Sequence, residues 1–394
     1  MRIAHCGKRK IPKFTTMKFE EVLGLEHIKN HLQTGADNGR VAHAQLFCGA
    51  NGSGTLPMAI AYARYILCGS DLENQSCHAK FDALSHPDLH FVFPVNTTDK
   101  VKSHPVSDLF YKDWKLFLEQ NPYASLFQWL EFIGIEKKQG NINVEEAESI
   151  VKKLSLKSYE GGYKIMIIWM ADRMHTATAN KLLKMIEEPP AKTVFILIAE
   201  DKEQIIQTIS SRCQLLEFPP LGAGAISEAL QKQENIDLAQ AEIIANRAQG
   251  DYNKALQLLK NNSGEKQFEE WFVLWVRAAF KAKGNKSVIN DLLKWSEGIA
   301  ANGREVQKQF LNYCIDFFRQ ALLLNYSTDQ LVFLQPQTEN FKLKNFAPFV
   351  HGNNIEDIYQ ELENAIYHIE RNGNAKIILT NLSIKLTRLL HIKA

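Results

Sequence analysis

Between residues 40 and 220, short apolar runs alternate with stretches whose apolar positions recur every three or four residues. That alternation predicts a parallel sheet flanked by helices, because strands buried on both faces read as unbroken apolar runs and their crossovers are helical. The strands are expected at AQLFC (44–48), LHFVF (89–93), YKIMIIW (163–169), TVFILIA (193–199) and QLLEF (214–218). NVEEAESIVKKLSL reads as a helix in which Asn143 and Glu146 have capping-box spacing, and Glu148 and Lys152 are placed to pair one turn apart. TATANKLLKMIEEPP reads as another, ended by Pro189 and Pro190, which cannot continue the backbone ladder.

The rhythm breaks twice. Residues 95–141 interpose an aromatic-rich stretch, DLFYKDWKLFLEQNPYASLFQWLEF, expected to be an inserted helical piece whose aromatics pack into a small core of its own rather than onto a partner. After FPPLGAGA the strand signals stop, leaving a small helical unit over 221–264 and a longer helical region over 265–394. The α/β part thus covers 17–220, and residues 1–16, ahead of Met17, read as a flexible extension.

Composition changes this picture little. A chain of 394 residues exceeds one ordinary core, and 45% hydrophobic with 23% charged residues describes a soluble globular protein. No apolar run approaches the roughly 18 to 20 residues that span a bilayer, and the basic start lacks the apolar stretch of a secretory signal, so a cytoplasmic protein with no membrane partner is expected. A net charge of +2 from 46 basic and 44 acidic residues neither requires nor excludes nucleic acid. The six scattered cysteines are expected to be free thiols.

The candidate chemistry begins at CGANGSGTLP, residues 48–57. In a phosphate loop of the pattern G-x-x-x-x-G-K-[ST], backbone N–H groups surround the phosphates, the lysine neutralises them and the hydroxyl holds magnesium. Gly49 and Gly54 keep that spacing and Gly52 adds to the turn, but Thr55 stands at the lysine position and Leu56 at the hydroxyl position. Weak anion binding by the turn remains chemically open, while hydrolysis is hard to support. Trp169 likewise stands where a magnesium-ordering aspartate would end the third strand, although Asp172 keeps a nearby acid. TISSRCQLLEF places Arg212 in a tight polar turn before the last strand; as an isolated feature it would be a surface arginine paired with Glu203 or Glu217. His86 and Asp88 suit a turn ahead of a strand, with Pro87 fixing the backbone and Asp88 accepting local N–H bonds, better than an acid–base pair. The apolar spacing in SIKLTRLLHIKA suits helix packing.

In order, HAQLF, the altered glycine loop, HPDLHFVFP, NVEEAESIVKKL, ADRMHTATANKLLKMIEEPPAKTVFILIA and TISSRCQ resemble the delta prime family of bacterial DNA polymerase III clamp-loader subunits. The resemblance covers residues 17–94 and 140–260 closely and the C-terminal helices, including IERNGNAKIILTNLSIKLTRLL, more loosely. It implies an AAA+ module, a small helical lid and a helical collar that assembles with gamma or tau and delta subunits, and through that complex meets the sliding clamp and primer–template DNA. It implies that Arg212 acts in trans on a neighbour's ATP, with Ser211 and Cys213 shaping its turn and Thr208 helping to place it. It also implies a member that does not hydrolyse ATP and calls for no cofactor of its own.

Many members of that family carry four zinc-binding cysteines spaced C-x8-C-x2-C-x2-C. Counted back from His86, Pro87 and Asp88, the ligand positions hold Leu72, Gln75 and His78; counted forward from Cys68, they hold Cys77, Lys80 and Ala83. Neither register supplies the four ligands of a structural zinc site, so Cys68, Cys77 and His78 are the remaining metal candidates and no bound metal is expected. Two competing functions are an autonomous AAA+ ATPase with an unusual loop, and a DNA-binding module using basic stretches such as KKLSLKSYEGGYK.

Overall fold

The protein is described by a computed structural model over residues 17–69, 74–135, 138–260, 263–282, 288–334 and 336–393; the expected extension at 1–16 lies outside these. The chain divides into two compact units, the first made of the stretches ending at Ile135 and Gly140–Leu256, the second of Glu136–Gln139 and the stretch from Gln257.

Five parallel strands, β1 (Ala44–Cys48), β2 (Leu89–Val92), β3 (Lys164–Ile168), β4 (Thr193–Ala199) and β5 (Gln214–Glu217), form one sheet in the order β2-β3-β4-β1-β5. Each lies within a residue or two of its expected run. Every residue of β4 is buried, as a central strand covered on both faces must be, whereas β5 is the exposed edge. Glycine-turned α1 (Glu26–Asp37) and α2 (Thr55–Cys68) flank β1. From Leu56 to Arg64 every residue of α2 is buried, which is why its sequence is apolar around the whole helix rather than along one stripe. The buried Arg64 guanidinium is satisfied by α3 (Gln75–Asp82), bonding His78 Nδ1 at 3.1 Å and Asp82 Oδ1 at 2.5 Å.

The stretch after β2 is helical, as expected, with a short turn of helix at Ser107–Phe110, α4 (Tyr111–Gln120) and α5 (Leu126–Phe132). A bridge between Val95 and Asn141 closes it at the base. Its aromatic core is not its own. Trp114 stacks on Phe93 at 4.2 Å, meets Trp129 edge-on at 5.1 Å and packs against Trp169 at 5.0 Å, so the insert shares its core with the end of the sheet.

After the insert come α6 (Val144–Ser155) and α7 (Thr176–Glu187). The expected capping box on α6 does not form: Asn143 makes no side-chain cap bond, and the buried Glu146 carboxylate instead accepts the Ser107 N–H of the insert at 2.7 Å. The expected Glu148–Lys152 pair is replaced by Glu148–Lys181 at 2.8 Å, because α7 packs beside α6 and offers a nearer cation. The four-residue α8 (Gln207–Ser210) leads to the Arg212 turn, and α9 (Ala223–Glu234), α10 (Leu238–Ala248) and α11 (Tyr252–Leu259) form the small helical lid.

The second unit is helical, with α12 (Ser263–Ala282), α13 (Ile289–Ala300), α14 (Arg304–Asn325), α15 (Leu343–Phe346), α16 (Ile355–Glu370) and α17 (Ala375–Leu389). Its core is aromatic, with Phe272, Trp275, Phe310, Phe317 and Phe318 buried. Leu379, Leu382 and Leu386 line the inward face of α17, which accounts for the apolar spacing at the end of the sequence. None of the described helices is long and apolar enough to cross a membrane.

Candidate functional site

The glycine turn joins β1 to α2, as its spacing requires. Gly52 has φ +70° and Gly54 φ +94°, conformations that glycine adopts without strain, and a Cβ on Gly52 would lie 1.8 Å from Asp251 Oδ1. Asp251 comes from the lid, where it closes directly onto the loop: Asn51 Nδ2 donates to Asp251 Oδ2 at 3.3 Å and Tyr252 N–H to the Gly52 carbonyl at 3.3 Å. Burial pushes the Asp251 carboxyl up to about 6, against the opposing N–H bonds from Lys254 and Asn253 and the bond from Asn51.

The positions that would carry phosphate chemistry are otherwise employed. Leu56 is buried at the start of α2, and Thr55 is partly buried beside it. Trp169, at the magnesium position, belongs to the aromatic core shared with Trp114 and Phe117. Asp172 faces Arg173 Nε at 3.5 Å. Pro122, Tyr123 and Ala124, from the link between α4 and α5, stand with Trp169 and Met170 against the loop residues Gly49–Gly52 and Gly54–Pro57. The room left among them is about 20 Å³. That admits about one water, whereas sites for ligands of cofactor size run to roughly 300 to 1,000 Å³.

Arg212 presents the opposite environment. It lies in the turn between α8 and β5, with its side chain 36% exposed. Its partner is neither Glu203 nor Glu217 but Glu187 at the end of α7, 3.1 Å from Nε; Glu217 is taken by Lys202 at 2.7 Å. Nη1 donates to the Thr208 carbonyl at 2.9 Å and lies 3.4 Å from Ser211 Oγ. Thr208 and Ser211 therefore both touch the arginine. Burial pushes the Cys213 thiol up to about 11, which leaves it a packing residue and not a nucleophile.

The metal candidates are rearranged. Cys68 and Cys77 form a disulfide across the α2–α3 corner, their Cα atoms 5.5 Å apart, so the expectation that all six cysteines are free thiols is corrected. The ends of two helices meet here, a proximity that spacing along the chain does not reveal. His78 turns to Arg64, and His86 takes its place near the sulfurs, with the three donor atoms within 4.8 Å of one another. Joined sulfurs offer no thiolate, and three donors fall short of a structural zinc set, so this cluster does not fit a zinc ion. His86 also accepts the Asp88 N–H at Nδ1, 3.2 Å away. Asp88 accepts bonds from Tyr159 and Glu160, so its partners come from a distant loop and not from the local turn.

Sequence reasoning missed Asn121, Tyr123, Asp251 and Asn253. The one available signal was N-P-Y at 121–123, a helix-breaking triplet that leaves a buried tyrosine in a link between helices.

The parallel sheet, the glycine turn between β1 and α2 and the three helices α9 to α11 beside it form an α/β module of the phosphate-loop type, one whose loop lacks both the lysine and the magnesium hydroxyl. The family described as "DNA polymerase III, delta subunit" matches residues 24–222, just over half of the chain, and the chain belongs to that family. It is 28% identical over 235 residues to the DNA polymerase III subunit delta' of Bacillus subtilis (strain 168), covering 59% of this chain and 58% of that protein. It is 27% identical over 187 residues to the subunit delta' of Escherichia coli (strain K12), covering 46% of this chain and 44% of that one. The chain thus spans about half the length of these relatives, 58% of the first and 44% of the second. Among solved structures, a gamma subunit-related protein from Thermotoga maritima is 13% identical, covering 91% of this chain and 99% of that one with a TM-score of 0.37.

Proposed function

We propose that this chain is the delta prime subunit of a clamp loader, a member that does not itself turn over ATP and that contributes Arg212 to the nucleotide of an adjoining subunit. Its partners are gamma or tau and delta subunits, and through the assembled ring the sliding clamp and primed DNA. The observation that carries this reading is the contrast between the roughly water-sized room left at the glycine loop and the exposed arginine at the other end of the sheet. β1 and β5 are parallel neighbours, with Gln45 level with Gln214 and Cys48 level with Glu217. The loop follows β1 while Arg212 precedes β5, so at about 3.3 Å per residue the two lie roughly 15 to 20 Å apart. An arginine so placed reaches phosphates only on another molecule. There it would spread positive charge over the transferring phosphoryl group, an effect worth roughly 10³- to 10⁵-fold where such an arginine is the main electrophile.

The ion pair with Glu187 does not stand in the way, since exposed pairs contribute about 1 kcal/mol or less and exchange readily for a phosphate. The test is reconstitution with gamma or tau and delta. Arg212→Ala should assemble normally yet lose most of the DNA-stimulated ATP turnover at the site it faces, as single-turnover hydrolysis would show. Unchanged ATPase and clamp loading would remove the trans-arginine role, and failure of the wild-type chain to assemble would remove the clamp-loader reading.

A further inference from the structure

Tyr123 is 3% exposed although it belongs to a surface insert. Its hydroxyl oxygen accepts the Leu23 N–H at 2.9 Å, and its ring meets that of Tyr252, the first residue of α11 in the lid, at 5.0 Å in an edge-on contact. A Cβ on Gly54 would lie 3.4 Å from Tyr123 Cε1, so the ring stands directly over the last glycine of the loop. One side chain thereby joins the segment before α1, the glycine turn and the lid. Asn121, two residues earlier, accepts the Tyr123 N–H at 2.9 Å and donates from Nδ2 to Asn253 Oδ1 at 3.0 Å, making a second bond between insert and lid.

The base of this arm is also built into the loop's surroundings. Trp169, the residue standing at the magnesium position, is where the insert's Trp114 and Phe117 pack. The substitution that removes a metal ligand is therefore the same one that anchors the arm carrying Tyr123. On the far side of the turn the Asp251 carboxylate faces Gly52, where it opposes any phosphate brought to the loop.

We propose that the 95–141 insert is an internal ligand of the phosphate-loop pocket, with Tyr123 and Asn121 occupying the joint between core and lid that a nucleotide would otherwise bridge, and holding the lid closed without one. The inference rests on the reading of this subunit as non-hydrolysing and adds what stands in the nucleotide's place. Its consequence is a lid whose position does not respond to ATP or ADP, a fixed member beside partners that cycle.

Hydrogen exchange on the isolated full-length chain tests this. In the wild type, α11 amides should exchange slowly and at a rate unchanged by magnesium with ATP or ADP. Tyr123→Ser should speed exchange across Tyr252–Leu259 by about tenfold or more while leaving the central strand β4 as protected as before. Tyr123→Phe keeps the ring and loses the acceptor, so only the segment around Leu23 should loosen. Should Tyr123→Ser fail to fold, Asn121→Ala keeps the Tyr123 side chain, removes the bond to Asn253 together with the one from the Tyr123 N–H, and should speed exchange in the first turn of α11. Protection of α11 that arises in the wild type only after nucleotide is added would overturn the proposal. So would Tyr123→Ser or Asn121→Ala variants that exchange there within about twofold of the wild type. Because the readout is on the isolated chain, it stands or falls separately from the role of Arg212 in the assembled ring.

Discussion

The glycine loop after β1 and the arginine turn before β5 lie at opposite ends of neighbouring strands, and they have been built in opposite ways. At the loop, the positions that would serve a phosphate are taken up by packing: Leu56 is buried, Trp169 serves an aromatic core and Tyr123 stands over Gly54. At the turn, Arg212 is held by one exposed ion pair, one backbone carbonyl and a nearby hydroxyl, all of which it can give up at low cost. Rigid burial suits the ligand-indifferent loop proposed above, and loose polar tethering suits the proposed exchange of Arg212 onto a neighbour's phosphate.

That contrast is broken most forcefully at the aromatic core under the loop. Trp114 is fully buried among Phe93, Trp129 and Trp169. Trp114→Ala should destabilise the first unit by about 3 to 5 kcal/mol, the usual cost of deleting a large buried aromatic. The same truncation at Arg212 should change stability by no more than about 0.5 kcal/mol. Urea unfolding of the two variants gives the comparison directly. Equal losses would mean that the turn is as structural as the loop.

A smaller effect follows from Asp251, whose carboxyl is raised from 3.8 to about 6 by burial against the loop. A raised folded-state value means that the folded chain holds this proton more tightly than the unfolded one. The stabilisation is therefore present below about pH 4 and is lost as pH rises through about 6. Two units correspond to roughly 3 kcal/mol as an upper bound. Lys254 and Asn51 are the neighbours that moderate it. Asp251→Asn, neutral at every pH, should gain on the wild type over this window in thermal unfolding, and parallel pH profiles for the two proteins would show that the buried carboxylate costs nothing.

How much of this could be read beforehand depends on where the deciding contacts lie. The five strands stand out in the sequence because each is a short apolar run between turn residues, and a buried parallel strand is decided by its own residues. The side-chain partners are decided by what the fold brings alongside. Glu146 has the spacing of a cap and goes to Ser107, and Glu148 has a lysine one turn on and goes to Lys181. Trp169 is legible as a missing aspartate, but its positive role, as the floor for Trp114, depends on an insert more than 50 residues earlier in the chain. The Cys68–Cys77 bridge escaped for the same reason, since composition argues about compartments while the bridge depends on two helix ends meeting. The turn that carries Arg212 was legible because its own residues S-S-R-C-Q make it, whereas the arginine's partner was not, since Glu187 is brought from the end of α7.

The finest test of the contrast concerns Glu187. Its pair with Arg212 spans 3.1 Å between side chains 55% and 36% exposed, so Glu187→Ala should alter the stability of the isolated chain by less than about 0.5 kcal/mol. In the reconstituted complex its effect distinguishes two roles for the glutamate. If Glu187 is only a resting partner, removing it frees the guanidinium, and DNA-stimulated ATP turnover should stay within about twofold of the wild type, shifted upward if at all. If Glu187 holds the arginine in the pose that a neighbour's phosphate requires, Glu187→Ala should fall as far as Arg212→Ala, because an unaimed arginine stabilises the transition state little better than none. The bond from Arg212 Nη1 to the Thr208 carbonyl survives the substitution and fixes the side chain without Glu187, which is why the first outcome is expected.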